Sequence, residues 1–231
     1  MASVLLLTPQ IEEAEGVLDA FSRAGHQPTD VRVGRMTCTA VPALDMLVAV
    51  GGNGKAQFAV QAQYLLDRCP DAKLLACIGA AGGLTSDVNV GDVVVATVTV
   101  EHDFKERFVP EPLPRHQGDP GILREFVEMA AANAFPFKVH FAPIASGDED
   151  IVDACRATEV RLATDAVCVA WEGSGGARAA RFSGVSFLEI RAITDAADTR
   201  AAMSFRENLK RVVSNAAHVL LAWHAHGRAA A

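Results

Sequence analysis

Short apolar runs alternate along the chain with segments in which apolar residues recur at helical spacing. Residues 4–7, 46–50 and 74–78 have the length and apolar content of buried strands. Residues 12–21 and 55–66, which follow the first two runs, have the spacing of amphipathic helices. The first third of the chain therefore predicts strands joined by helices.

The same alternation continues to the end of the sequence. A proline-rich stretch, residues 104–120, has no clear period and is predicted to be a long loop. The remaining predicted strands are residues 92–100, 138–148, 166–170 and 187–193, and the remaining helices are 122–132, 153–163, one from 174 and 204–224. This order predicts a single α/β domain over residues 1–231, with a largely parallel twisted sheet flanked by helices in three α/β/α layers.

Composition and charge narrow the range of partners. The formal net charge of −7 argues against nucleic acid, because phosphate binding depends on clustered Lys and Arg. No run of about 18 apolar residues and no basic segment before the first apolar run occur, so we expect a cytoplasmic protein without a membrane partner. Five cysteines without CxxC or Cys/His spacing predict reduced thiols, and neither a disulfide framework nor a metal site.

Residues that directly follow predicted strands are candidates for a ligand site. In open α/β sheets, ligands bind at the carboxyl ends of the strands. Taken singly, each candidate also has a structural interpretation. The helix dipole stabilises a glutamate in the first turn of a helix, and an aspartate after a strand can cap a turn. The candidates are rich in glycines and carboxylates: Glu12, Glu13, residues 51–54, 79–83, 101–103 and 146–150, Trp171, Glu172, Thr194 and Asp195.

Several motifs in one order give these candidates a common meaning. The segments "GAAGGLTSDVNVGDVVVA", "ASGDEDIV", "VAWEG", "FLEIRAITDAAD" and "SFRENL" resemble the nucleoside phosphorylase and nucleosidase superfamily, and most closely its methylthioadenosine/S-adenosylhomocysteine nucleosidase branch. The resemblance covers nearly the whole chain. It implies a phosphorylase/hydrolase-like fold, a purine nucleoside substrate such as a 5′-substituted adenosine, and no cofactor. It also implies a homodimer in which the neighbouring subunit closes the 5′ pocket.

The resemblance further implies three catalytic carboxylates and an arginine. Cleavage of the C1′–N9 bond passes through an oxocarbenium-like sugar, so the enzyme must neutralise the departing purine and supply a nucleophile. Asp195 resembles the residue that protonates or hydrogen-bonds N7, and Glu172 resembles the glutamate that binds the ribose hydroxyls. Glu13 aligns with the carboxylate that activates water, with Glu12 as the alternative. Arg191 resembles the arginine that orients this water and its carboxylates, and a buried ion pair is its other interpretation.

The same resemblance assigns substrate-binding positions, several of which depart from the family pattern. Ala80 stands where the nucleosidases have Ser or Thr, and Asp150 stands where an aromatic residue stacks on adenine. Ala170 replaces a glutamate, and residues 100–112 lack the Asp-x-Asp-x-Thr-x-Phe pattern that lines the 5′ pocket. These departures bear on which substrate is bound more than on which class of reaction is catalysed. The substrate-binding positions are Gly79, Ala80, Asp150, Ile151, Trp171 in place of Met, Thr194 in place of Ser, and Phe205 at the 5′ substituent.

Hydrolysis and phosphorolysis are separated by the site for the nucleophile. A phosphorylase needs arginines that grip phosphate near the N-terminal strand. The segment "TPQIEEAE" has glutamates and no arginine, and carboxylates repel phosphate while they suit water activation. The sequence therefore predicts an N-ribosyl hydrolase. A purine nucleoside phosphorylase, a futalosine-type hydrolase and a nucleoside-binding protein without turnover remain as alternatives.

Overall fold

The computed structural model describes residues 2–109 and 111–229, and the side chains up to residue 227. Within these residues, ten strands form one sheet and six α-helices surround it. The strands are β1 (Val4–Thr8), β2 (Thr29–Val33), β3 (Met36–Val41), β4 (Met46–Val50), β5 (Leu74–Gly83), β6 (Val93–Glu101), β7 (Arg115–Gln117), β8 (Val139–Ser146), β9 (Cys168–Ala170) and β10 (Ser186–Asp195). The helices are α1 (Ile11–Arg23), α2 (Lys55–Leu66), α3 (Pro120–Ala132), α4 (Ala154–Thr164), α5 (Gly173–Ser183) and α6 (Ala201–Ala229).

The predicted alternation of strands and helices is present, and the differences have physical causes. The hairpin of β2 and β3 was not predicted, because its mostly exposed or half-buried residues lack a strong apolar run. The prediction of one long loop over residues 104–120 is wrong in part, since β7 pairs with β6 inside it. Pro110 of that stretch lies outside the described residues.

The sheet is mixed, so the prediction of a largely parallel sheet is wrong. Antiparallel pairings are as numerous as parallel ones. Strands β5, β10, β6, β8 and β9 close into a ring through successive pairings, and β1, β4, β3 and β2 extend from β5 as an open arm. Hydrophobic runs show that strands are buried, but they do not encode strand direction, which explains this error.

Alternate residues of β1 enter two separate hydrophobic clusters. On β1, Leu6 belongs to a cluster with α1, α3 and α6, whereas Leu5 and Leu7 belong to a cluster with α2 and α5. Because side chains of a strand alternate between faces, helices cover both faces of the sheet. No helix in the described residues combines the length and the apolar character that crossing a membrane requires.

Candidate active site

A cavity of about 360 Å³ lies where β5, β9 and β10 end and α1, α5 and α6 begin. The carboxyl ends of β5 and β10 meet here because these two strands pair in parallel up to Asp195 and Gly82. Gly79 is a predicted site residue that does not line the cavity. Ten predicted site residues do line it: Glu13, Ala80, Asp150, Ile151, Trp171, Glu172, Arg191, Thr194, Asp195 and Phe205.

Glu13 is fixed in the cavity by the start of α1 and by strand β5. One of its carboxylate oxygens accepts from the backbone N–H of Gln10 at 2.8 Å, as part of a capping box, and the other accepts from the N–H of Ala80 at 2.8 Å. A Cβ atom at Gly79 would lie 2.6 Å from Glu13 Oε1, so the glycine permits this close approach. Glu12, the alternative from the sequence, is exposed and does not line the cavity.

Burial changes the acidity of Glu13. The pKa of its carboxyl rises from 4.5 to about 7, mainly because burial removes water from the carboxylate and in smaller part because Glu172 is nearby. The two backbone N–H groups and Arg191 oppose this increase because they favour the charged form. A carboxyl with a pKa near neutrality can take a proton from water and return it, which is the property of a general base.

Arg191 is the centre of the buried charges. Its side chain is 1 % exposed, and it ion-pairs through Nη2 with Glu172 at 3.2 Å and through Nε with Glu189 at 2.8 Å. Its Nη1 donates to the backbone carbonyl of Ala80 at 3.3 Å. The buried ion pair, one of the two interpretations of Arg191 from the sequence, is present, and Arg191 also lines the cavity. Its role in orienting the water stays a prediction.

Glu172 stands at the N-terminus of α5, directly after β9. One oxygen accepts from the backbone N–H of Gly54 at 3.1 Å, and the other binds Arg191. The glycine-rich turn over residues 51–54 therefore holds a carboxylate in place and does not by itself form a phosphate loop. The carboxylate of Glu172 is buried, reaches the cavity and can accept hydrogen bonds from hydroxyl groups.

Asp195 ends β10 and is held by its own neighbours. Its carboxylate accepts from the hydroxyl of Thr194 at 2.7 Å and from the backbone N–H of Ala197 at 2.9 Å. Asn208 of α6 donates to the carbonyl of Thr194 at 3.0 Å and so fixes the strand end. Burial raises the pKa of the Asp195 carboxyl above its usual value, although both hydrogen bonds lower it. A raised pKa suits a group that gives a proton to a leaving base.

The remaining substrate-binding positions form the less polar walls. Ile151 is buried, Trp171 and Phe205 are half-buried, and Asp150 is exposed. The indole N–H of Trp171 donates to the carbonyl of Glu149 at 3.1 Å, which ties the turn before α4 to the start of α5. Ala80 and Ala170 line the cavity without a hydroxyl or carboxyl group, as the sequence indicates.

Sequence reasoning missed Glu189 and Arg206. Glu189 pairs with Arg191 from inside β10, and Arg206 lines the cavity from α6. A signal for Glu189 was present, because a carboxylate within the apolar run "FLEIRAI" must have a partner. For Arg206 the sequence held no signal apart from its place beside Phe205.

The comparisons with known proteins agree with the family that the motifs indicate and with the fold. A family model described as the phosphorylase superfamily matches residues 4–223. The chain belongs to the phosphorylase superfamily, which confirms the assignment predicted from the motifs. A relative from Geobacillus sp. (strain WCH70), named 5′-methylthioadenosine/S-adenosylhomocysteine nucleosidase, is 30% identical over 186 residues, which are 77% of this chain and 79% of the relative.

Solved structures of nucleosidases and of a related hydrolase have the same fold as this chain. The 5′-methylthioadenosine/S-adenosylhomocysteine nucleosidase from Neisseria meningitidis, in complex with methylthio-immucillin-A, is 26% identical with a TM-score of 0.83, over 98% of this chain and 100% of that chain. The futalosine hydrolase of Helicobacter pylori is 22% identical with a TM-score of 0.84, over 96% of this chain and 97% of that chain. The second likeness supports the fold alone.

Proposed function

We propose that the protein is a nucleosidase that hydrolyses the N-glycosidic bond of a purine nucleoside, with a 5′-substituted adenosine such as methylthioadenosine or S-adenosylhomocysteine as substrate. The nucleosidase relatives support the enzyme class. The observation that carries the proposal is Glu13, a buried cavity carboxyl whose pKa is raised to about 7 and whose two oxygens are held by backbone N–H groups.

Each carboxylate has a distinct task in this reaction. Asp195 gives a proton or a strong hydrogen bond to N7, so that the purine departs as a neutral base. Glu172 holds the ribose hydroxyls, and Glu13 removes a proton from the attacking water. Arg191 keeps Glu172 and the water beside Glu13 in place. The charge that develops on the sugar is positive, so a cavity rich in carboxylates stabilises the transition state.

The charge balance favours water over phosphate as the nucleophile. Arg191 is the basic group beside Glu13, and its guanidinium is already bound to Glu172 and Glu189. A phosphate ion beside Glu13 would therefore meet carboxylates and an arginine that is already paired. Phosphorolysis is less compatible with this arrangement than hydrolysis.

A futalosine-type hydrolase is the second candidate, and Arg206 favours it over an enzyme specific for methylthioadenosine, which has no acidic group, but not over one that accepts S-adenosylhomocysteine, which has a carboxylate. This arginine lines the cavity beside Phe205, and no ion pair or hydrogen bond of its side chain occurs among the described residues. A free guanidinium there suits a substrate whose 5′ side carries an acidic group. The two candidates share the reaction and differ in the 5′ substituent and in the base, which is adenine in the first and hypoxanthine in futalosine.

A nucleoside panel tests both candidates. The protein is incubated with methylthioadenosine, S-adenosylhomocysteine, adenosine, inosine and futalosine, and the free base is followed by chromatography. We expect release of base from at least one of them, with the preferred substrate identifying the substituent. Binding of a nucleoside without release of base would instead support the alternative of a binding protein.

Three further features belong to the same proposal. The two clusters that pack helices against opposite faces of the sheet support a single domain over residues 1–231 in three layers. The five free cysteines, four of them buried, suit a cytoplasmic location, where thiols stay reduced. A homodimer follows from the resemblance to the nucleosidase branch, and sedimentation or light scattering of the purified protein tests it.

A further inference from the structure

Glu189 is a buried carboxylate that the reaction scheme does not use. It lies in the middle of β10 with a relative exposure of 0% and does not line the cavity. An acidic side chain in such a position is stable only when its charge is paired and its oxygens are hydrogen-bonded.

Both oxygens of Glu189 have partners. Oε1 accepts from Nε of Arg191 at 2.8 Å, and Oε2 accepts from the hydroxyl of Thr99 on β6 at 2.5 Å. Glu189 and Arg191 are two residues apart on one strand, so their side chains share one face of the sheet. The pair is therefore fixed by the backbone of β10 as well as by the hydrogen bonds.

The start of α5 leaves room for this carboxylate. A Cβ atom at Gly173 would overlap both oxygens of Glu189, so any larger residue at 173 would displace the carboxylate. Gly173 directly follows Glu172, which binds Nη2 of the same guanidinium. The glycine thus allows two carboxylates to approach one guanidinium.

We propose that Glu189 is a positioning residue of the active site: it holds Arg191 by Nε, directs the Nη groups toward Glu172 and Ala80, and offsets part of the arginine's charge beside Glu13. The proposal rests on the proposed nucleosidase function. The other titratable groups around the pair are Cys77 of β5, Cys168 of β9, His116 of β7, and Glu13 and Glu172.

Removal of the negative charge of Glu189 should change the pKa of Glu13 in a predictable direction. In Glu189→Gln, Arg191 keeps a hydrogen-bond partner at Nε but loses one of its counter-charges. Its positive charge then acts more strongly on Glu13, which favours the ionised form of Glu13 and lowers its pKa. The acidic limb of the pH profile, which reports ionisation of Glu13, moves to lower pH.

The test compares Glu189→Gln with Glu101→Gln. Glu101 is also a buried carboxylate, but it pairs with Lys55 and Arg178 and does not line the cavity. We expect Glu189→Gln to move the acidic limb of kcat/KM down by roughly half to one pH unit and to lower kcat about tenfold. Glu189→Asp, which keeps the charge, should restore the limb to its wild-type pH. Glu101→Gln should leave the limb in place.

A folded Glu189→Gln variant with the wild-type limb and kcat would overturn the proposal. If that variant does not fold, Gly173→Ala replaces it in the test, because the added Cβ displaces the carboxylate of Glu189 without removing it. A wild-type kcat in Gly173→Ala would also overturn the proposal. Release of no base by the wild-type protein would refute the proposed function instead. In that case, NMR titration of Glu13 in the wild type, Glu189→Gln and Glu101→Gln tests the same pKa shift without turnover.

Discussion

The cavity has a buried end and an exposed rim, and the two regions are built differently. At the buried end, Glu13, Glu172, Arg191 and Asp195 each have at least two hydrogen bonds to side chains or backbone. The rim consists of the exposed lining residues Asn53, Asp150, Val152, Ala202 and Arg206. The side chains of Asp150 and Arg206 have no ion pair or hydrogen bond among the described residues.

This difference separates chemistry from specificity. The buried groups are carried by strand ends and by helix starts, so their geometry is set before the substrate arrives. The rim groups are still solvated and can change partner without disturbing the fold. We therefore expect changes at the buried end to alter kcat for all substrates, and changes at the rim to alter the choice of substrate.

Asp195→Asn should have the largest effect. The asparagine amide can still donate a hydrogen bond to N7, but it cannot transfer a proton, so kcat should fall by about 10²–10⁴-fold with the fold retained. The measurement is base release under saturating substrate, with circular dichroism as the control for folding. A folded variant with the wild-type kcat would leave Asp195 as a turn cap.

Glu13 should control the acidic side of the pH profile. As a general base Glu13 acts in its ionised form, so with a pKa of about 7 kcat/KM should fall about tenfold per pH unit below that value. Glu13→Gln should lower kcat/KM strongly and remove this limb. A Glu13→Gln variant that keeps the same acidic limb would assign the limb to another group.

Asp150→Phe should change the preference of the rim for the base. An aromatic ring there could stack on adenine, and we expect a roughly tenfold rise in kcat/KM for adenine nucleosides relative to inosine. Asp150→Asn is the control, because it removes the charge without adding a ring. An unchanged ratio in Asp150→Phe would show that this turn does not contact the base.

Arg206→Gln should have the smallest effect, and only on some substrates. An exposed ion pair contributes little, so kcat/KM should fall roughly two- to fivefold for a nucleoside with a carboxylate on its 5′ substituent and stay constant for methylthioadenosine. Lys210→Gln is the matched control, since Lys210 is one helical turn away on α6 and does not line the cavity. An equal loss for both substrates would assign Arg206 a structural role.

The sequence predicted the buried end better than the architecture around it. The apolar runs indicated the strand ends, and the resemblance of the motifs to the superfamily led to Glu13, Glu172, Arg191 and Asp195. Two kinds of information were missing from the pattern. Strand direction depends on pairing between distant segments, which is why the mixed sheet was not predicted, and side-chain partners such as Glu189 with Thr99 become visible only when β10 and β6 are adjacent.

The most direct test of the account uses the best substrate of the panel, first in phosphate-free buffer and then with added phosphate. The cavity places Glu13 beside an arginine that is already paired, so water should be the nucleophile. We predict that base is released at the same rate in both buffers and that the second product is the free sugar. A requirement for phosphate, with sugar 1-phosphate as the product, would contradict the account.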